Sequence, residues 1–112
     1  MLLAHHSITT AGDGPDTIFD GPDNGVRIVR RISAYNPNAS AVTGVIQWHY
    51  DATQERIIRR NVVSMAATGD WQWGEFWGYW HVPAGVLVKF LPDSWTATWN
   101  PIEWGIDYAE DA

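Results

Sequence analysis

The chain has 112 residues, enough for one domain but not two. At this length about 18,000 Å² of unfolded surface collapses to about 6,200 Å², so a core forms without staples. There is no cysteine, which excludes disulfides, thiolate zinc centres and cysteine nucleophiles. Seven basic residues stand against 13 acidic ones, a net charge of −6, which argues against a nucleic-acid partner.

No apolar run approaches the ~20 residues of a membrane helix, so no membrane partner is expected. The opening Met1-Leu2-Leu3-Ala4 lacks the basic region of a secretion signal, and synthesis in a cytoplasm is the expectation. Residues 1–25 are punctuated by turns: Asp13-Gly14-Pro15-Asp16 returns as Asp20-Gly21-Pro22-Asp23. They read as an N-terminal arm with a short edge strand at most. Four aspartates in this stretch raise calcium, but their spacing matches no calcium loop and no carboxylate stands at a closing position, so no metal is predicted.

From Val26 the period is two. Val26, Ile28 and Arg30 share one strand face and Arg27, Val29 and Arg31 the other. Asn36-Pro37-Asn38-Ala39-Ser40 is a turn, because proline presets φ and asparagine tolerates turn geometry. The return run to Tyr50 places Val42, Gly44, Ile46, Trp48 and Tyr50 on one side, with Thr43, Val45, Gln47 and His49 opposite. After a polar turn, residues 55–63 fit either a capped helix or a strand. The β-branched Ile57, Ile58, Val62 and Val63 favour the strand.

Gly69-Asp70 leads into Trp71–Val82, whose tryptophan spacing suits extended backbone interrupted at Gly74 and Gly78. Val86–Leu91 is a short strand, and Trp95, Ala97 and Trp99 align on one face of a further one that Pro101 ends. Short strands between turns at intervals of roughly 8–12 residues predict an all-β fold, a single-domain antiparallel β-sandwich or small barrel. Extended arms are expected at both ends: residues 1–25, then the domain over 26–104, then an acidic tail over 105–112.

No Gly-x-Ser-x-Gly elbow, phosphate loop or zinc-protease signature is present. Of His5, His6, His49 and His81, only His49 has a nearby carboxylate in sequence, Asp51, and no nucleophile is placed beside it. A solvent-facing strand histidine is the expected role. A His5-His6-His49 metal cluster is disfavoured because adjacent residues of an extended chain point apart. No enzyme activity and no cofactor are predicted.

Eight tryptophans dominate the composition, seven of them between positions 71 and 104. Trp48, Trp95 and Trp99 are read as packing. Trp71, Trp73, Phe76, Trp77, Tyr79 and Trp80 place rings on both faces of any strand, and a single domain has one inside. The surplus suits a protein interface or a sugar-stacking platform. Arg30, Arg31, Arg59 and Arg60, from two similar Arg-Ile-x-Arg-Arg runs, are either solvated strand edges or partners for acidic groups. The acidic ends, Asp13–Asp23 and Asp107–Asp111, offer such groups within one subunit or between subunits.

The order Ala34-Tyr35-Asn36-Pro37-Asn38, hairpin return Val42–Tyr50, Gly69-Asp70-Trp71 and Val82-Pro83-Ala84-Gly85-Val86 resembles the small β-sandwich accessory virion proteins of tailed bacteriophages. The resemblance spans residues 26 to about 100 and is one of strands and turns. It implies a structural role on head or tail, such as capsid decoration, in a homo-oligomer, with a trimer favoured, contacting a major virion protein. On that reading Trp71, Trp73, Trp77, Tyr79 and Trp80 are contact residues and the four arginines their charged neighbours. The alternative is a carbohydrate-binding module that stacks host glycan on exposed tryptophans.

Overall fold

The computed structural model describes residues 2–50, 57–74 and 80–111, with the side chains of 57–60 and 111 outside the description. It is an antiparallel β-sandwich with nine strands among the described residues: β1 (Leu2–Thr10), β2 (Asp16–Asp20), β3 (Val26–Asn36), β4 (Val42–Tyr50), β5 (Ile57–Met65), β6 (Gly69–Trp73), β7 (Trp80–Pro83), β8 (Val86–Pro92) and β9 (Ile102–Asp111). One sheet runs β1-β9-β3, and the far side of β3 is shared by β6 and β7. The other runs β2-β8-β4-β5. The accessible surface, 6345 Å², matches the area expected of a folded chain of this mass.

Period-two alternation builds both inner faces. Val29, Ile32, Ala34, Ile102, Trp104 and Ile106 come from the first sheet, and Val42, Ile46, Trp48, Val63, Val88 and Phe90 from the second; all are buried. Trp80 lies at the centre of a ring cluster, 4.6 Å from Trp48 edge-on and 3.9 Å from Trp73 between centroids. Phe90 and Trp104 form a second aromatic pair at 4.9 Å. Buried indoles keep their polar ends satisfied: Trp104 Nε1 donates to Thr10 Oγ1 at 3.0 Å and Trp48 Nε1 to Asn61 Oδ1 at 3.1 Å.

The Asn-Pro-Asn turn is a tie between three connections. Asn36, fully buried, donates through Nδ2 to the carbonyls of Ser40 (2.9 Å) and Ala66 (3.1 Å). Its Oδ1 accepts from the Asn38 backbone N–H and side-chain amide. Asn38 in turn holds the backbone of Thr68 and of Asn100. Buried amides satisfied on both ends stabilise such a junction.

Several expectations are corrected. The first 25 residues carry two strands, not a short edge strand: β1 pairs with β9 along its whole length, from Leu2 opposite Glu110 to Thr10 opposite Ile102. The acidic C-terminal segment is likewise an internal strand, held between β1 and β3. Its apolar alternation, Ile102, Trp104, Ile106 and then Ala109, shifts phase where β3 bulges at Arg30, which hides it from a strict period-two reading. Residues 95–99 form a turn instead of a strand. Trp99 N–H bonds Thr96 C=O at 2.9 Å, which brings Trp95 and Trp99 edge to face at 5.4 Å against the core. β5 is a strand as expected, because Val63 and Met65 reach the core while Val62 and Ser64 face solvent.

Candidate functional site

The outer face of the first sheet gathers the polar side chains of β1, β9, β3 and β6. His5 and Asp107 sit directly opposite each other on β1 and β9. His5 Nδ1 lies 2.5 Å from Asp107 Oδ1, and its Nε2 lies 2.9 Å from Ser7 Oγ two residues along the same strand. The ring lies across Gly105: a Cβ there would come within 3.0 Å of both His5 Cε1 and Ser33 Oγ. Glycine at this position lets the imidazole lie between hydroxyl and carboxylate.

An open groove of about 690 Å³ runs beside this trio, lined by Leu3, His5, Arg30, Arg31, Gln72 and Asp107, among others. Arg31 Nη2 donates to Gln72 Oε1 at 3.3 Å. Arg30 stands at the bulge between β3 and β9, the irregularity that turns it and Arg31 toward one groove. The order hydroxyl, imidazole, carboxylate is that of a proton relay. Here, however, the His5 and Asp107 side chains are 55% and 47% exposed. Solvent competes for this contact, and an open groove does not exclude water from a reacting group.

Of the residues expected to make contacts, Trp73 and Trp80 are only 6% and 5% exposed. Their rings fill the space between the sheets, so the surplus expected at a surface is partly consumed by the core. Trp71 is half-buried against that core. Trp77 and Tyr79 lie outside the described residues. Arg59 and Arg60 occupy β5 opposite Trp48 and Gln47, with their side chains outside the description. The structure thus brings Arg30 and Arg31 together in one groove and places the other arginine pair on the second sheet.

The acidic ends meet their own chain. Arg27 Nη1 bonds the Asp20 carbonyl at 2.9 Å and its carboxylate at 3.2 Å, while Nε reaches Glu110 at 3.2 Å. Its guanidinium also lies over the rings of Phe19 and Tyr108, at 5.6 and 5.5 Å. Arg27, in the run that holds Arg30 and Arg31, has no such role in its local sequence: the pairing of β3 with β9 brings Glu110 to it, and the packing of the two sheets brings Asp20.

The histidines do not converge. His5 and His6 project to opposite faces, His6 meeting the edge of Phe19 at 5.8 Å. His49, expected at the surface, is 5% exposed: β4 is an inner strand of its sheet, with Leu87 of β8 directly opposite. Its Nδ1 meets the Tyr50 carbonyl at 3.1 Å, and Nε2 has no hydrogen-bond partner among the described residues. Among those residues no three His, Asp or Glu side chains are grouped to hold a metal ion. The pairing of His5 with Ser7 was available from their i, i+2 spacing on a strand; Asp107 was not, because the partner strand was read as a tail.

Comparison of the chain with protein-family models, with curated proteins and with solved structures gives no match.

Proposed function

We propose that the chain is a non-enzymatic structural protein of a tailed-phage virion, an accessory or decoration component that self-associates into a closed homo-oligomer and binds a major virion protein. The virion assignment rests on the resemblance in strand and turn order; the observation that supports self-association is the open groove on the outer face of the first sheet, where Arg30 and Arg31 stand together at a β3 bulge. Arg31, exposed beside a solvent-open cleft, suits a carboxylate of a neighbouring acidic subunit better than an enclosed substrate. The exposure of the Ser7–His5–Asp107 relay points the same way, toward recognition and away from acyl transfer.

The solution mass by light scattering, over a range of protein and salt concentrations, tests self-association. The expected result is an oligomer that R31E weakens and that salt loosens as surface charges are screened. A monomer under every condition overturns it. Co-sedimentation with the assembled particle tests the virion partner, and failure to bind heads or tails overturns that part.

The carbohydrate-binding reading has less support. Of the seven described tryptophans, Trp48, Trp73, Trp80 and Trp104 are buried and Trp71, Trp95 and Trp99 half-buried, which leaves little open ring face for a sugar. Quenching or shift of tryptophan fluorescence on titration with a glycan panel would restore it.

A further inference from the structure

Among the described residues the two sheets leave four edges, and a sheet edge is a row of backbone donors and acceptors that invites another chain. Three of the four carry devices that discourage this. β2 has only five residues, with Asp16 and Asp20 at its ends and a register shift between Thr17 and Phe19. β5 carries Arg59 and Arg60 and a shift against β4. The β3 edge is divided between the short strands β6 and β7, and β7 ends in Pro83.

β1 has none of these. It is nine residues long, pairs with β9 without any register shift, and its sequence, Leu-Leu-Ala-His-His-Ser-Ile-Thr-Thr, contains no proline, glycine, lysine, arginine or acid. Its first residues, Leu2 and Leu3, are 71% and 67% exposed. β1 itself carries no Lys, Arg, Asp or Glu, so antiparallel pairing of two copies sets no such like charges directly opposite each other across the seam.

We infer that β1 is the self-association edge, and that it pairs antiparallel with β1 of a second copy about a two-fold axis, joining the two first sheets into one. The inference rests on the self-association reading above and adds to the Arg30–Arg31 groove a second, two-fold contact at the strand edge. Antiparallel pairing of identical strands is isologous, so each residue meets its symmetry mate's counterpart. Full overlap places His6 opposite His6 and Leu3 opposite Thr9. Leu3 and Thr9 both face outward and are exposed, so substitution there leaves the core intact. Backbone hydrogen bonds supply the attraction, as in other strand-addition contacts.

The register supplies the test. In L3K/T9K the lysines of the two copies face one another across the seam, whereas L3E/T9K sets opposite charges there, while within each chain position 9 still faces Glu103. Circular dichroism verifies that each variant is folded, and light scattering reads the mass. The expected result is a two-fold assembly for the native chain, at least a tenfold weaker association for L3K/T9K, and recovery in L3E/T9K. An oligomer whose mass neither variant changes, or a native trimer without two-fold pairing, overturns the edge contact and leaves self-association standing. A native monomer overturns both.

Discussion

Asn38 and Asn100, 62 residues apart in the chain, exchange two hydrogen bonds: Asn38 Nδ2 donates to the Asn100 carbonyl at 3.0 Å, and the Asn100 N–H returns to Asn38 Oδ1 at 2.7 Å. Asn38 is 5% exposed, and its own amide and backbone are fixed by Asn36. The turn after β3 therefore anchors the residue just before Pro101 and β9. In this way a local Asn-Pro-Asn signal sets where the C-terminal strand enters the sheet.

Replacing Asn38 by alanine removes both bonds, leaves part-buried backbone groups of the Asn100 connection without them, and takes away the buried amide that Asn36 holds. The expected loss is about 1–2 kcal/mol of unfolding free energy, read by urea denaturation. Asn24→Ala, at an exposed turn position, is the control and shifts stability by less than about 0.5 kcal/mol. Equal effects from the two variants would refute the junction.

Trp80→Ala empties the space between Trp48 and Trp73, and a cost of about 3–5 kcal/mol is expected for a buried tryptophan. Near-ultraviolet circular dichroism, which reports fixed aromatic packing, should fall with it. A stable, well-packed variant would show that the ring belongs to a surface after all.

Arg27→Lys keeps the charge but loses the fork that serves Asp20 and Glu110 together and the planar contact with Phe19 and Tyr108. A destabilisation of about 1–2 kcal/mol is expected, most of it packing, because Asp20 is 63% exposed and its charge is screened. Asp20→Asn should accordingly cost less than about 0.5 kcal/mol in the same thermal scan. A larger effect of Asp20→Asn than of Arg27→Lys would reverse this assignment.

Gly105→Ala sets a methyl carbon 3.0 Å from both the His5 ring and the Ser33 hydroxyl, tighter than an ordinary contact. The neighbours must give by a few tenths of an ångström, and the His5 bonds to Asp107 and Ser7 should weaken together. Nitrogen NMR of His5 reads the change directly: the variant should lose the hydrogen-bonded ring-nitrogen signals while the global fold persists. Unaltered signals would mean the ring does not depend on that glycine.

The alternation of Val42 to Tyr50, the β-branched run at 57–63 and the turn chemistry at Asn36–Asn38 and Pro83–Gly85 were enough to read an all-β sandwich or small barrel from the residues alone. These features act over a few positions, through side-chain direction and backbone φ, and each element carries them by itself. The candidate site was only half legible. His5 and Ser7 share a face by strand spacing, and Arg30 and Arg31 stand side by side in sequence.

Pairing between distant segments decided the rest. Residues 1–25 and 105–112 look like arms in isolation, because one face of each strand they contribute is solvent and a bulge in β3 shifts the phase of the second. Joined to each other and to β3, they become the strands that bring Asp107 to His5 and Glu110 to Arg27. The fate of the tryptophans was decided the same way. Composition counts the rings, but only the closing of two sheets over a shared interior determines which of them it can hold. Trp73 and Trp80 went inside because β6 and β7 lie along β3 opposite the inner face of β4, a relation no local run of residues contains.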